Sequence, residues 1–183
     1  NVEMLGALLK SSEPVKPRRA SPPVSGTADG FARFEALVCE FHWTALQIGG
    51  IASCMNASLA SRRSWMLRAC NNLIPVESPI VKIALRSWQD IGLPRDLAAA
   101  IARAYFDLAD AKKLTMPLLD SAGLFAGPQI PLAKLEQIAV VWRKLAEDCR
   151  DAVLDLEPET RWRLNGAYTG NALLLSRFLK EAI

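Results

Sequence analysis

An apolar repeat with a seven-residue period runs through the first half of the chain and constrains the fold more than any other feature. Two apolar positions recur per heptad over roughly five heptads, a pattern typical of a long α-helix that packs through one seam. The first row comprises Val38, Ala45, Ala52, Leu59, Met66 and Leu73, and the second comprises Phe34, Phe41, Ile48 and Met55. The repeat predicts one helix of about 40 residues, from Asp29 to Cys70, which spans about 60 Å at 1.5 Å per residue.

Two adjacent glycines, Gly49 and Gly50, interrupt this predicted helix near its centre. Each costs about 1 kcal/mol relative to alanine inside a helix, so the helix either kinks there or uses the missing side chains for a close helix crossing. Ala45, Gly49, Ser53 and Ala57 follow one another at intervals of four residues. Such a stripe of small residues lets two helices approach closely, so we expect it to lie in a helix–helix contact.

The rest of the chain predicts four more helices and no strand, because it lacks hairpin turns and alternating β-branched runs. The predicted fold class is therefore an all-α helical bundle of about five helices. Ser78 is placed to cap the second helix, with Pro79 at its first position. The inner face of this second helix is expected to comprise Ile80, Ile83, Ala84, Leu85, Trp88 and Ile91.

Prolines and glycines set the other predicted boundaries. The third helix is expected to end near Leu114, and a long connection is expected to occupy residues 115–131. The fourth helix is predicted to open at Pro131 and to stop before Pro158. The fifth helix is then predicted over residues 159–181.

The amino-acid composition indicates the domain organisation and the amount of apolar surface. Residues 1–28 contain four prolines among serine, lysine and arginine, which predicts a disordered or extended tail followed by a single helical-bundle domain at 29–183. Across the whole chain the hydrophobic fraction is 51% and the mean hydropathy is +0.13. These values are high for a small globular domain, so we expect apolar surface that covers a second copy, a protein partner or lipid.

The charge pattern and the reactive residues exclude several functions. The 22 lysines and arginines are spread along the chain against 19 acidic residues, so a nucleic-acid partner is disfavoured. The four cysteines have no metal-binding spacing, and no glycine-rich phosphate loop occurs. The single histidine, His42, shares a helical face with Glu35 and Cys39, but one histidine without a Glu-x-x-His pair does not make a di-iron site, so we expect His42 to be buried or at the edge of the seam. The sequence predicts neither a metal nor a cofactor, and it favours an interaction role over catalysis.

Two clusters combine arginine with tryptophan, a composition typical of interface hot spots. We expect the first cluster to be an interaction surface at the end of the long helix; it comprises Arg62, Arg63, Trp65 and Arg68. The second comprises Arg161, Trp162 and Arg163 and is expected at the start of the last helix. Because cations oppose the helix dipole there, these arginines are predicted to pair with Glu157 or Glu159.

These observations rank three functions. The favoured one is a non-enzymatic, cytoplasmic helical module for protein interaction or scaffolding, which self-associates or binds a protein partner. The alternative is a membrane-associated protein that uses the uncharged residues 41–61 or the Arg62–Arg68 cluster. A second alternative is a small-molecule-binding bundle or enzyme with a pocket under the 115–131 connection.

Overall fold

The computed structural model describes residues 28–61, 74–75, 78–121, 131–166 and 168–183. Within them the chain forms five α-helices and no strand, so the predicted all-α bundle is confirmed. The helices are α1 (Ala28–Ser61), α2 (Pro79–Arg86), α3 (Arg95–Ser121), α4 (Leu132–Arg163) and α5 (Thr169–Ala182). The predicted N-terminal tail lies outside the described residues up to position 27, as do residues 62–73 around the predicted end of the first helix.

The heptad seam of α1 forms the centre of the core. Its residues from Phe34 to Met55, on both rows, expose at most 1% of their surface. The helix continues through Gly49 and Gly50, and it packs against α2, α4 and α5 of the same chain. The heptad residues therefore pack against other helices of the same chain and form part of its core.

The long helix α4 runs antiparallel to both α1 and α3. Near its start, the buried Trp142 indole donates to Thr115 in the later part of α3, with a donor–acceptor distance of 2.9 Å. At its end, Arg163 lies over the ring of Phe34, in the second turn of α1. α4 contacts α1, α3 and α5, so it occupies the interior of the bundle.

The last helix, α5, runs parallel to α1. At its start the Tyr168 hydroxyl donates to Glu35, and at its end the Asn56 amide donates to the carbonyl of Ala182 over 2.8 Å. These two contacts place α5 along the middle of α1. The parallel arrangement brings side chains with the same helical spacing face to face.

Two helices continue through prolines that were predicted to lie outside them. Pro117 lies within α3, which extends to Ser121, so the prediction that residues 115–121 belong to a connection is wrong. Residues 122–130 of the predicted connection lie outside the described part. Pro158 lies within α4 rather than beyond it. Each proline frees the carbonyl four residues earlier, at Lys113 or Leu154. All four residues are exposed, so water can hydrogen-bond to those carbonyls.

The α4 helix ends instead at a left-handed cap. Asn165 has φ of +49°, and the amide of Gly166 donates to the carbonyl of Arg161 over 2.9 Å. This six-to-one hydrogen bond is the Schellman arrangement, in which a residue such as asparagine takes the left-handed position. The last helix consequently begins at Thr169, later than predicted.

The short helix α2 confirms its predicted cap and part of its predicted inner face. The Ser78 hydroxyl accepts from the amide of Val81 at 3.5 Å, with Pro79 at the first helical position. Ala84 and Ile91 are buried and Leu85 and Trp88 pack against the core, as predicted, whereas Ile80 and Ile83 are exposed. The helix packs against α1 with Val81 buried instead, which turns Ile80 and Ile83 to solvent.

Candidate functional site

An apolar groove of about 510 Å³ lies on the surface between α1 and α5. Nine side chains line it, none of them lysine, arginine, aspartate or glutamate, and four of them contain rings. They are Cys39, His42, Trp43 and Leu46 from α1, Tyr168 just before α5, and Asn171, Leu174, Leu175 and Phe178 from α5. The volume falls in the range of about 300–1,000 Å³ that small-molecule sites occupy.

Helical periodicity builds both walls of the groove. The α1 wall uses positions 39, 42, 43 and 46, and the α5 wall uses positions 171, 174, 175 and 178. Each set follows the spacing i, i+3, i+4 and i+7, which places four side chains on one helical face. The groove forms because parallel packing of α5 on α1 sets these two faces side by side.

Three large apolar side chains border the groove and point outward. Trp43 exposes 60% of its surface and Leu174 exposes 65%, while Leu46 exposes 41%. We call these three residues the groove rim. Sequence reasoning did not single them out, although Trp43 and Leu46 fall within the uncharged residues 41–61 of the membrane-associated alternative and their spacing next to the heptad rows was a usable signal. The groove rim gives the bundle an uncharged, apolar surface.

The imidazole of His42 lies in the wall of this groove and is nine-tenths buried, with 9% of its surface exposed. Among the residues that the structure describes, its Nε2 atom has no hydrogen-bond partner. Burial lowers the pKa of His42 below its ordinary value of 6.5, because desolvation penalises the charged form. At neutral pH the groove therefore contains a neutral imidazole.

Tyr168 lines the groove at the N-terminal end of α5 in a left-handed backbone conformation, with φ of +66°. Its hydroxyl donates to Glu35 over 3.1 Å. Hydrogen bonding to Cys39 and Glu35 raises the pKa of this phenol to about 12. A bulky residue in this region costs of order 1 kcal/mol, and such strain recurs at binding sites.

The predicted stripe of small residues faces the interior of the bundle. Ala45 is fully buried, Gly49 is buried, and Ser53 is partly buried. At Gly49 the last helix crosses so closely that an added Cβ atom would lie 2.6 Å from Cε1 of Phe178. The close-crossing interpretation is confirmed at Gly49, with a helix of the same chain. A role for Ala45, Gly49 and Ser53 in contacts with another molecule stays a prediction.

The two arginine–tryptophan clusters have different outcomes. Residues Arg62, Arg63, Trp65 and Arg68 lie outside the described residues, so their predicted interaction role stays a prediction. The second cluster occupies the last turn of α4, not the start of a helix. There Arg161 pairs with Glu157, and Arg163 pairs with Glu159 over 3.2 Å. The predicted pairing is confirmed, and at a C-terminus these cations also complement the helix dipole.

Two further features of the described residues concern metal binding and thiol reactivity. No group of three or more potential metal ligands lies together in the described ranges. Burial raises the pKa of the Cys149 thiol to about 12, so this thiol stays protonated and acts as a packing group. As for the lipid-spanning alternative, none of the five described helices combines the length and hydropathy of a transmembrane segment.

Comparison with protein-family models, with curated proteins and with solved structures finds no match to this chain. The fold and the site define an all-α bundle with an uncharged surface groove. Its function is argued from that groove.

Proposed function

We propose that the protein is a non-enzymatic helical interaction module that self-associates through the groove rim. The observation that carries this proposal is the exposure of Trp43, Leu46 and Leu174 around one apolar groove. Three helices of the same chain, α2, α4 and α5, already pack against α1 and its heptad seam. Exposed apolar side chains also occur on the other helices, for example Phe106 on α3, but Trp43, Leu46 and Leu174 are the ones that line a common groove.

The chemistry of the groove rim suits contact between two copies. In a two-fold dimer the same patch meets itself, so any charge in the patch would face its own like charge. The groove lining has no formal charge, which removes this repulsion and the desolvation cost that goes with it. Tryptophan is also enriched among the residues that dominate interface energetics. Trp43 is therefore the expected anchor.

A cytoplasmic location is part of this proposal. Cys39 and Cys54 lie fifteen positions apart on the continuous helix α1, which corresponds to about 22 Å along the axis. This separation is far beyond disulfide reach, which is about 7 Å between Cα atoms. Cysteines too far apart to pair with each other support a reducing compartment.

Sedimentation equilibrium over a wide range of protein concentrations tests the proposal. The average mass should rise with concentration for the natural chain. Trp43→Ala should weaken self-association about tenfold or more, as expected for a hot-spot residue. Trp162→Ala is the matched control, because Trp162 is equally exposed at 59% but lies at the end of α4, away from the groove. The control should leave the dimerisation constant unchanged.

Two results would contradict the proposal. A strict monomer at every concentration would show that the protein does not self-associate. Equal effects of Trp43→Ala and Trp162→Ala would show that the groove rim is not the self-association surface. Co-sedimentation of the monomer with neutral phospholipid vesicles, lost in Trp43→Ala, would instead support the membrane-associated alternative.

A further inference from the structure

We propose that the α1–α5 groove binds a neutral, ring-containing small molecule whose hydroxyl group hydrogen-bonds to His42. This inference goes beyond self-association, because it concerns a ligand held inside the groove of one copy, between His42 and the other lining side chains, which include Trp43 of the groove rim. It rests on the lining, the volume and the unpartnered imidazole, all of which are present in a single copy of the chain.

The residues that line the groove favour a ligand that contains rings and carries no charge. Trp43, His42, Tyr168 and Phe178 present rings, and aromatic rings prefer offset or edge-to-face contact with other rings. No lysine or arginine lines the groove. An anionic ligand would therefore lose its hydration without gaining a cationic partner. A neutral molecule avoids this cost.

His42 selects the polar group of the ligand. Its buried Nε2 atom has no partner among the described residues, and leaving a buried polar atom unpaired costs about 1–3 kcal/mol. In a neutral imidazole Nε2 is either a donor or an acceptor, depending on the tautomer. A hydroxyl group both donates and accepts, so it can pair with either tautomer.

The α5 wall gives a route to that nitrogen. Leu174 and Asn171 are exposed and Phe178 is only partly buried. The proposed ligand therefore enters from the α5 side, past the exposed Leu174 and Asn171.

The test uses the full chain without a histidine tag. His42 is the single histidine of the sequence, so one imidazole signal in a long-range ¹H–¹⁵N correlation spectrum reports on the site. Naphthalene, 1-naphthol and 1-naphthoate are titrated separately at one fixed protein concentration. The three probes share a ring system and differ in having no polar group, a hydroxyl group or a carboxylate.

We expect 1-naphthol to shift the His42 imidazole signals and to bind about 3- to 10-fold more tightly than naphthalene, the effect of one net hydrogen bond. The carboxylate of 1-naphthoate should make it bind more weakly than 1-naphthol. His42→Phe keeps a ring in the wall and should abolish the preference for 1-naphthol over naphthalene. If this variant does not fold, the comparison of the three probes on the natural chain decides the matter.

Several results would overturn the inference. They are no binding up to the solubility limit of the probes, equal affinity for naphthalene and 1-naphthol, tightest binding of 1-naphthoate, or binding that leaves the His42 signals unshifted. Failure of self-association is a separate result, because it is measured by sedimentation without any probe.

Discussion

The guanidinium carbon of Arg163 lies 4.6 Å from the centre of the Phe34 ring, which ties the end of α4 to the start of α1. The same guanidinium donates to the backbone carbonyls of Ile91 and Gly92, in the link between α2 and α3. Its side chain is mostly buried, with 17% exposed. One arginine therefore joins three separate segments at one end of the bundle.

Replacing this arginine should destabilise the bundle more than replacing its neighbour. Arg163→Lys keeps the charge but loses the planar fork that reaches two carbonyls, so we expect a loss of about 1–2 kcal/mol in the free energy of unfolding. Arg161 is itself 63% exposed and pairs with Glu157, so Arg161→Lys, which keeps the charge, should cost less than about 0.5 kcal/mol. Urea unfolding of both variants measures the difference, and equal stabilities would show that the carbonyl contacts contribute little.

The hydrogen bond between Trp142 and Thr115 gives a second comparison. Thr115 accepts from the buried indole over 2.9 Å and donates to the carbonyl of Ala111 over 2.7 Å. Thr115→Val leaves the indole N–H unpaired and should cost about 1–3 kcal/mol. Thr160 is equally buried and donates to the carbonyl of Leu156 in the same way. Thr160→Val is therefore the control, and thermal unfolding should show the larger loss for Thr115→Val.

The crossing of α5 over Gly49 predicts that an added methyl group is harmful there. A Cβ atom at Gly49 would meet the Phe178 ring at 2.6 Å, whereas one at Gly170 meets nothing within 4 Å. Gly49→Ala should lower the free energy of unfolding by about 1–3 kcal/mol through overpacking. Gly170→Ala should be neutral or stabilising by up to about 1 kcal/mol, the helix propensity gain.

A double-mutant cycle identifies the clash in that experiment. In a Phe178→Ala background, Gly49→Ala should cost markedly less than in the natural chain, because the ring that blocks the methyl group is absent. An equal cost in both backgrounds would place the strain elsewhere.

The lowered pKa of His42 predicts a pH dependence of stability. The unfolded chain titrates near 6.5, while burial keeps the folded imidazole neutral to lower pH. As the pH falls below 6.5 the unfolded state binds a proton that the folded state does not, so stability decreases toward the folded pKa. Above 6.5 this contribution is fully present. Urea unfolding on both sides of 6.5 should show a smaller loss for His42→Phe, and an imidazole pKa at or above 6.5 by NMR would contradict the prediction.

Local signals predicted the elements of the fold well. The heptad rows from Phe34 to Met55 identified α1 and its buried face, because a helical period is set by residues close in sequence. The cap at Ser78 was confirmed for the same reason. The helix ends at Pro117 and Pro158 were wrong, because a proline can stay in a helix when solvent satisfies the carbonyl it frees.

The groove could not be predicted from local sequence patterns alone. Positions 39 to 46 and 171 to 178 each show helical spacing in the sequence, so each stripe could be found there. That the stripes face each other depends on α5 beginning at Thr169 and packing parallel to α1. The sequence by itself determined helices, core rows and surplus apolar surface, which follow from periodicity and composition. Only the tertiary structure decided that the heptad rows of α1 are buried by other helices while the stripes at 39–46 and 171–178 line an open groove. The reason is that the packing of whole helix faces, which are far apart in sequence, determines which faces are covered.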